Sequence, residues 1–141
     1  MIKQSDIPLV SLNSMNEVHF AEVLILNRLL EQLNTKENFE RISESLEKLL
    51  EHMSEHFSTE ETLMQEVNYP SLQMHKADHD KVLNQTRYAE MEWRNRKDLE
   101  ALKEHLEDDV VAWLNQHIKA MDTPMADFIS KAHLSEHHCP S

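Results

Sequence analysis

Apolar residues recur along the chain in alternating steps of four and three, the period of an amphipathic helix that buries one face. A first run places Met15, His19, Glu22, Leu26, Leu29 and Leu33 on one seam. Ser14 and Glu17 have capping-box spacing, which predicts a helix from about Met15 to Leu33. A second seam, Ile42, Leu46, Leu49, Met53, His56, Glu60, Leu63 and Val67, predicts a helix capped by Thr35 and broken at Asn68-Tyr69-Pro70. Ser71 is the expected cap of a third, on Leu72, His75, His79, Val82, Thr86, Ala89 and Trp93. A turn between Asn95 and Asp98 leads to a fourth, with Leu99, Leu102, Leu106, Val110, Trp113, His117 and Met121. Thr123-Pro124 then reads as a restart, with Thr at the N-cap and Pro at the first helical position.

The expected fold is all-α, an up-down-up-down four-helix bundle with a short C-terminal helical segment. Residues 1–14 are expected to form an N-terminal arm, 15–131 the bundle, and 132–141 a polar, His-rich, frayed tail.

Composition narrows the picture. The 141 residues include no glycine, where ordinary usage would give about ten. Gly-rich phosphate loops and dinucleotide fingerprints are therefore excluded. Fourteen basic against 26 acidic side chains give a formal charge of −12, which disfavours nucleic acid and anionic lipid as partners. Val23-Leu24-Ile25-Leu26 is far too short to span a membrane, and the N-terminus lacks a signal peptide's apolar stretch. A cytoplasmic location is expected. The single cysteine, Cys139, excludes an intrachain disulfide.

The seams themselves hold the chemistry. His19, Glu22, His56, Glu60, His75, His79 and His117 occupy positions that otherwise carry Leu, Ile, Val or Met. In an up-down bundle these positions fall within about 20 Å of one end, at roughly 1.5 Å per helical residue. An unpaired buried polar group costs about 1–3 kcal/mol and a buried charge several more, against a total stability of about 5–15 kcal/mol. Metal ions remove that conflict by making ligands of the imidazoles and carboxylates. His56-x3-Glu60 and His75-x3-His79 are i,i+4 pairs that point to one locus, and His117-x4-Asp122 sets Asp122 just past the helix end, able to reach back. Five histidines and two carboxylates suit two ions bridged by Glu60 and Asp122. The donors fit iron, and less specifically manganese or zinc. His52 and His105, off their seams, are expected to face solvent, and His133, His137, His138 and Cys139 to lie in an exposed tail.

Over about residues 15–128 the sequence resembles a hemerythrin. The family pattern of one His on helix 1, H-x3-E on helix 2, H-x3-H on helix 3 and H-x4-D on helix 4 is matched by His19, His56 with Glu60, His75 with His79, and His117 with Asp122. His56-Phe57-x-x-Glu60-Glu61-x-x-Met64, Tyr69-Pro70 and Trp113-Leu114-x-x-His117-Ile118 extend the match, and the long interval from His79 to His117 is more like the bacterial members. The resemblance implies two iron ions with an oxo or hydroxo bridge and two carboxylate bridges. It implies that His75, His79 and His117 hold one iron, and that His19 and His56 hold the iron whose open position takes dioxygen or a related small ligand. Leu114, Phe57 and Trp113 match residues around the oxygen pocket.

The chain departs from the family at Glu22, where an apolar residue is usual, and in lacking an aromatic residue before Phe20. Glu22 lies one turn from His19 and is expected as an extra ligand or a gate at the open iron. The alternatives are a place at the bundle rim or a protonated acid in the pocket. The expected function is dioxygen storage, delivery or sensing. The rival is a di-iron oxidase, peroxidase or nitric-oxide-handling enzyme tuned by Glu22. No covalent nucleophile or separate substrate pocket is legible, so catalysis is not required, and no protein partner can be read.

Overall fold

The computed structural model describes residues 2–3 and 6–138, with side chains described as far as residue 132. Four antiparallel helical rods enclose the core, and no strand occurs among the described residues. The first three are α1 (Asn13–Asn34), α2 (Phe39–Glu66) and α3 (Leu72–Arg96). The fourth rod is unbroken, in five pieces. These are α4 (Leu99–Glu104), a π-helical stretch (His105–Val110), α5 (Val111–His117), a second π-helical stretch (Ile118–Asp122) and α6 (Thr123–His138). An all-α bundle is thus observed.

Helix ends differ in detail from the expectation. Leu12, with no side-chain bond, is the N-cap of α1, and Ser14 lies inside the helix. The cause is upstream: Asn16 accepts from the Val10 amide at 2.9 Å and donates to its carbonyl at 3.0 Å, which fixes the chain's approach. Asn38 caps α2 by accepting from the Arg41 amide at 2.9 Å, whereas Thr35 closes α1 through its hydroxyl to the Glu31 carbonyl. Ser71 is the N-cap of α3 without a side-chain bond.

A chain without glycine must still end its helices. Lys36, Asn68 and Lys97 take left-handed backbone angles, with φ of 54°, 53° and 53°. At the first two, amide bonds run back six-to-one, Glu37 to Gln32 and Tyr69 to Met64, each at 2.9 Å. This is the Schellman arrangement usually built on glycine. Lys97 instead places its ammonium 4.7 Å above the Phe39 ring.

The expected restart at Thr123-Pro124 does not occur. Thr123 has helical angles (φ −62°, ψ −53°), and its hydroxyl donates to the Ile118 carbonyl at 2.8 Å. Pro124 cannot donate, and its ring would press on the carbonyl four residues earlier in an α-helix. The wider π turn just before it accommodates both conditions, so the rod continues. α6 runs through 132 to His138. The side chains of His133, His137 and His138, and all of Cys139, lie outside the described residues.

Buried apolar side chains form two separate clusters. One contains Leu26, Leu29, Leu33, Ile42, Leu46, Leu49, Met53, Val82, Leu106 and Val110. The other contains Ile7, Val10, Met15, Val23, Met64, Leu114, Ile118, Met125 and Ile129. On the first three rods the polar seam residues fall near the junction of the two, and on the fourth His117 and Asp122 interleave with Leu114, Ile118 and Met125 of the second cluster. The arm belongs to the second cluster: Ile7 and Val10 are buried against it, and Ile2 is tied to Asn27 by two hydrogen bonds of 3.1 and 2.7 Å. No described helix is long and apolar enough to cross a membrane.

Candidate metal centre

α1 supplies His19 and Glu22, α2 supplies His56 and Glu60, and α3 supplies His75 and His79. His117 ends α5 and Asp122 ends the second π stretch. That stretch has a direct consequence. Residues five apart diverge on an α-helix, but the π turn, with its i→i+5 closure, brings them onto one face. Asp122 therefore lies beneath His117 within a continuous helix and does not reach back from beyond its end, as the sequence had implied. All eight side chains are buried, and His19 and Asp122 are fully so.

The donors fall into two groups, in each of which one ligand atom per residue lies within 4.8 Å of all the others. One comprises Glu60, His75, His79, His117 and Asp122; the other comprises His19, His56, Glu60 and Asp122. Glu60 and Asp122 belong to both. In the first group, Nε2 of His117 is 3.1 Å from Nε2 of both His75 and His79. Glu60 Oε1 is 3.1 Å from Nε2 of His75 and of His79. Asp122 Oδ1 lies 3.0 Å from His75 Nε2 and 3.2 Å from His117 Nε2. In the second group, Asp122 Oδ2 is 3.1 Å from His19 Nε2, and Glu60 Oε2 touches His56 Nε2.

These contacts fit a pair of cations better than a hydrogen-bonded network. Three imidazole nitrogens meeting at 3.1 Å cannot each point a proton at the next. Both oxygens of Asp122 and both nitrogens of His19 are buried without a well-formed hydrogen bond, despite their short separations. Bonds of roughly 2.1 Å at right angles around one ion would set neighbouring donors about 3.0 Å apart, close to the spacing observed.

Each outward ring nitrogen has a fate of its own. Nδ1 of His117 meets Asp78 at 2.6 Å, and Nδ1 of His79 meets Glu61 at 3.0 Å. Nδ1 of His56 meets Glu22 at 3.2 Å, whereas Nδ1 of His19 and of His75 find no partner among the described residues. A carboxylate at Nδ1 holds the proton there and frees the Nε2 lone pair for a cation.

Glu22 is therefore placed differently from the extra ligand expected at the open iron. It belongs to neither donor group, and its Oε1 contacts Nδ1 of both His56 and His52 at 3.2 Å. His52, expected to face solvent, is half-buried against it. His105 turns one ring nitrogen inward to Thr86 at 3.2 Å, while the other meets the exposed Asp109 at 3.1 Å.

Burial pushes the Glu22 carboxyl upward, but hydrogen bonds from His52 and His56 and the attraction of both rings bring it down to about 2. Burial pushes His75 downward, and Asp122 and Glu60 overcome this and raise it to about 9. His56 is raised well above its usual value, against burial, by Glu60 and Glu22. Burial also acts upward on Glu60 and Asp122, yet their histidine partners hold both well below the ordinary carboxylate range.

Phe57 stacks on His79 with ring centres 4.0 Å apart, and Trp113 stacks on His117 at 4.3 Å. Both aromatics thus back the three-histidine group. Leu114 is buried in the cluster with Met15 and Ile118. The cavity that reaches the two-histidine group is another space, about 220 Å³, bordered by Met15, Val18, His52, His56, Glu60 and Leu63. None of Leu114, Phe57 and Trp113 borders it.

Reading the seams missed His52, Glu61 and Asp78. The signals were present: His52 precedes His56 by four residues, and Glu61 and Asp78 adjoin Glu60 and His79.

Fold and geometry together define a helix bundle built around a His/carboxylate site of a kind suited to paired cations. The chain belongs to the hemerythrin family: the Hemerythrin HHE cation binding domain matches residues 11–129. It is 32% identical over 112 residues to the Bacteriohemerythrin of Aquifex aeolicus (strain VF5), spanning 79% of this chain and 85% of that protein. It is 27% identical over 95 residues to the Bacteriohemerythrin of Stenotrophomonas maltophilia (strain R551-3), spanning 67% of this chain and 60% of that one. No solved structure shows a significant match.

Proposed function

We propose that this chain is a non-heme di-iron protein that binds dioxygen for storage, delivery or sensing in a bacterial cytoplasm. The observation that carries the reading is the inequality of the two donor groups around shared carboxylates: five residues against four. His75, His79 and His117 would hold one iron, His19 and His56 the other, with Glu60 and Asp122 joining them. The four-residue group leaves room for an exogenous ligand, and the 220 Å³ cavity beside His56 and Glu60 is its route of approach. Nitrogen and oxygen donors without thiolate favour iron in this role. Two ferrous ions held there would supply the electrons and the free coordination place that dioxygen needs. The protein holds the donors in place, and the apolar clusters on either side keep bulk water out.

The rival enzyme reading gave Glu22 a place at the open iron. Its contact with Nδ1 of His56, on the side of the ring away from Glu60, weakens that reading.

The test is anaerobic reconstitution with ferrous iron, exposure to air, and removal of oxygen. A visible charge-transfer band that appears and disappears over repeated cycles supports carriage. Irreversible oxidation in the first cycle refutes it, and protein that takes up no iron removes the centre altogether.

A further inference from the structure

We infer that Glu22 is a positioning residue for the two-histidine half of the centre, acting through the outer nitrogen of His56 and not by binding a cation itself. This rests on the centre proposed above and names a residue that the shared donor pattern leaves out.

The ring of His56 is gripped at both ends. Nε2 faces Glu60 within the donor group, and Nδ1 faces Glu22 at 3.2 Å. Glu22 lies on the α1 seam, in a place that an apolar side chain would otherwise fill, and is 4% exposed. The Glu22 oxygen at Nδ1 accepts the proton of that nitrogen, so with a cation bound the Nε2 lone pair is the one directed at it. With an apolar residue at 22, the proton would be free to move to Nε2, where Glu60 would accept it in competition with metal.

In the three-histidine half the corresponding carboxylates, Glu61 and Asp78, have side chains 20% and 26% exposed, so water weakens their hold. In the two-histidine half, among the described residues, His19 has no Nδ1 partner and His56 is the ring oriented by a carboxylate, which is buried. His52 completes the device. Its Nδ1 meets the same Oε1 at 3.2 Å, which fixes the carboxylate from the other side, and its ring borders the cavity shared with His56 and Glu60.

The experiment is a stepwise anaerobic titration of the metal-free protein with ferrous iron against a competing chelator. It compares wild type, Glu22→Leu, Glu22→Gln and His52→Leu, with helicity checked by circular dichroism. Loss of an outer-sphere partner lowers metal affinity by about 10–100-fold. Glu22→Leu is expected to lose about that much at one of two sites, with the other within about threefold. Glu22→Gln, whose amide oxygen still accepts the Nδ1 proton, is expected to recover most of the loss. His52→Leu is expected to lose less than Glu22→Leu at the same site. Nitrogen NMR of the zinc-loaded protein reads the tautomer directly: His56 carries its proton on Nδ1 in wild type and loses that single state in Glu22→Leu.

Two unchanged constants and an unchanged tautomer in Glu22→Leu overturn the inference and leave the centre standing. So does equal weakening of both sites, which marks a general structural effect, or a loaded structure with a Glu22 oxygen bonded to a cation. Wild type that binds neither iron nor zinc overturns the centre itself, and the inference with it.

Discussion

Asp122 offers a sharp test of what holds the middle of the bundle together. Its carboxylate is fully buried and lies 3.1 Å from His19, 3.0 Å from His75 and 3.2 Å from His117. Asp122→Asn keeps the shape and removes the charge. Removing one partner of a buried ion pair costs about 3–5 kcal/mol, because the other charge is left uncompensated. Part of that is relieved here. Burial opposes the charge on His75, and Asp122 and Glu60 hold its pKa up at about 9, so the ring can shed its proton once Asp122 is neutral. A loss of about 3 kcal/mol in the metal-free protein at pH 7 follows. At this chain length each kcal/mol moves Tm by roughly 3–4 °C, so the midpoint should fall by about 10 °C. Asp80→Asn is the control, since Asp80 pairs with Lys76 at 3.1 Å on the surface, where such a bond contributes about 0–1 kcal/mol. Asp122→Asn should bind at most one iron, against the two expected of wild type. Calorimetric melts of both metal-free proteins, with iron counted after reconstitution, decide the matter. An Asp122→Asn protein that melts within about 3 °C of wild type, or retains two ions at wild-type affinity, would refute the reasoning.

The metal-free and metal-loaded proteins should respond differently to pH. His75, opposed by burial but raised from 6.5 to about 9 by Asp122 and Glu60, stabilises the metal-free fold fully below pH 6.5, and this support is lost as pH rises through 9. A bound cation keeps that ring deprotonated, so the stability added by metal should widen from pH 6.5 to 9; paired urea titrations across that range measure it, and parallel curves would contradict it. Asn16→Ala should cost about 2–4 kcal/mol, because it leaves the buried amide and carbonyl of Val10 without partners, and limited proteolysis should then cut in the arm before it cuts in the helices.

The helical rods and the donors were legible for one reason. A strict four-three period makes any His, Glu or Asp on the seam conspicuous, and His19, Glu22, His56, Glu60, His75, His79 and His117 all stand on it. Asp122 was found by its distance from His117, but the backbone that delivers it was not, because a π turn has no residue signature beyond the proline that follows. Which side of the His56 ring Glu22 occupies was not legible, because it is a matter of a few ångströms that helical phase does not resolve. His52, Glu61 and Asp78 stand off the seams; Glu61 and Asp78 contact His79 and His117, and His52 contacts Glu22. Helix starts were misplaced where several capping residues compete, as at Thr35 and Asn38, and the left-handed Lys36 between them decided the outcome.

The division of the interior into two oily blocks makes metal content and mechanical unity a single property. Each block can hold itself together by excluding water, but the buried polar layer that adjoins them has no such glue, and without cations it relies on mutually dependent acid–imidazole contacts and on the rings stacked against His79 and His117. Filling that layer with cations rivets four rods at one level. The apo chain should breathe there first, with amide exchange fastest around the donor turns and slowest within either block, and metal should silence that motion without altering the blocks themselves.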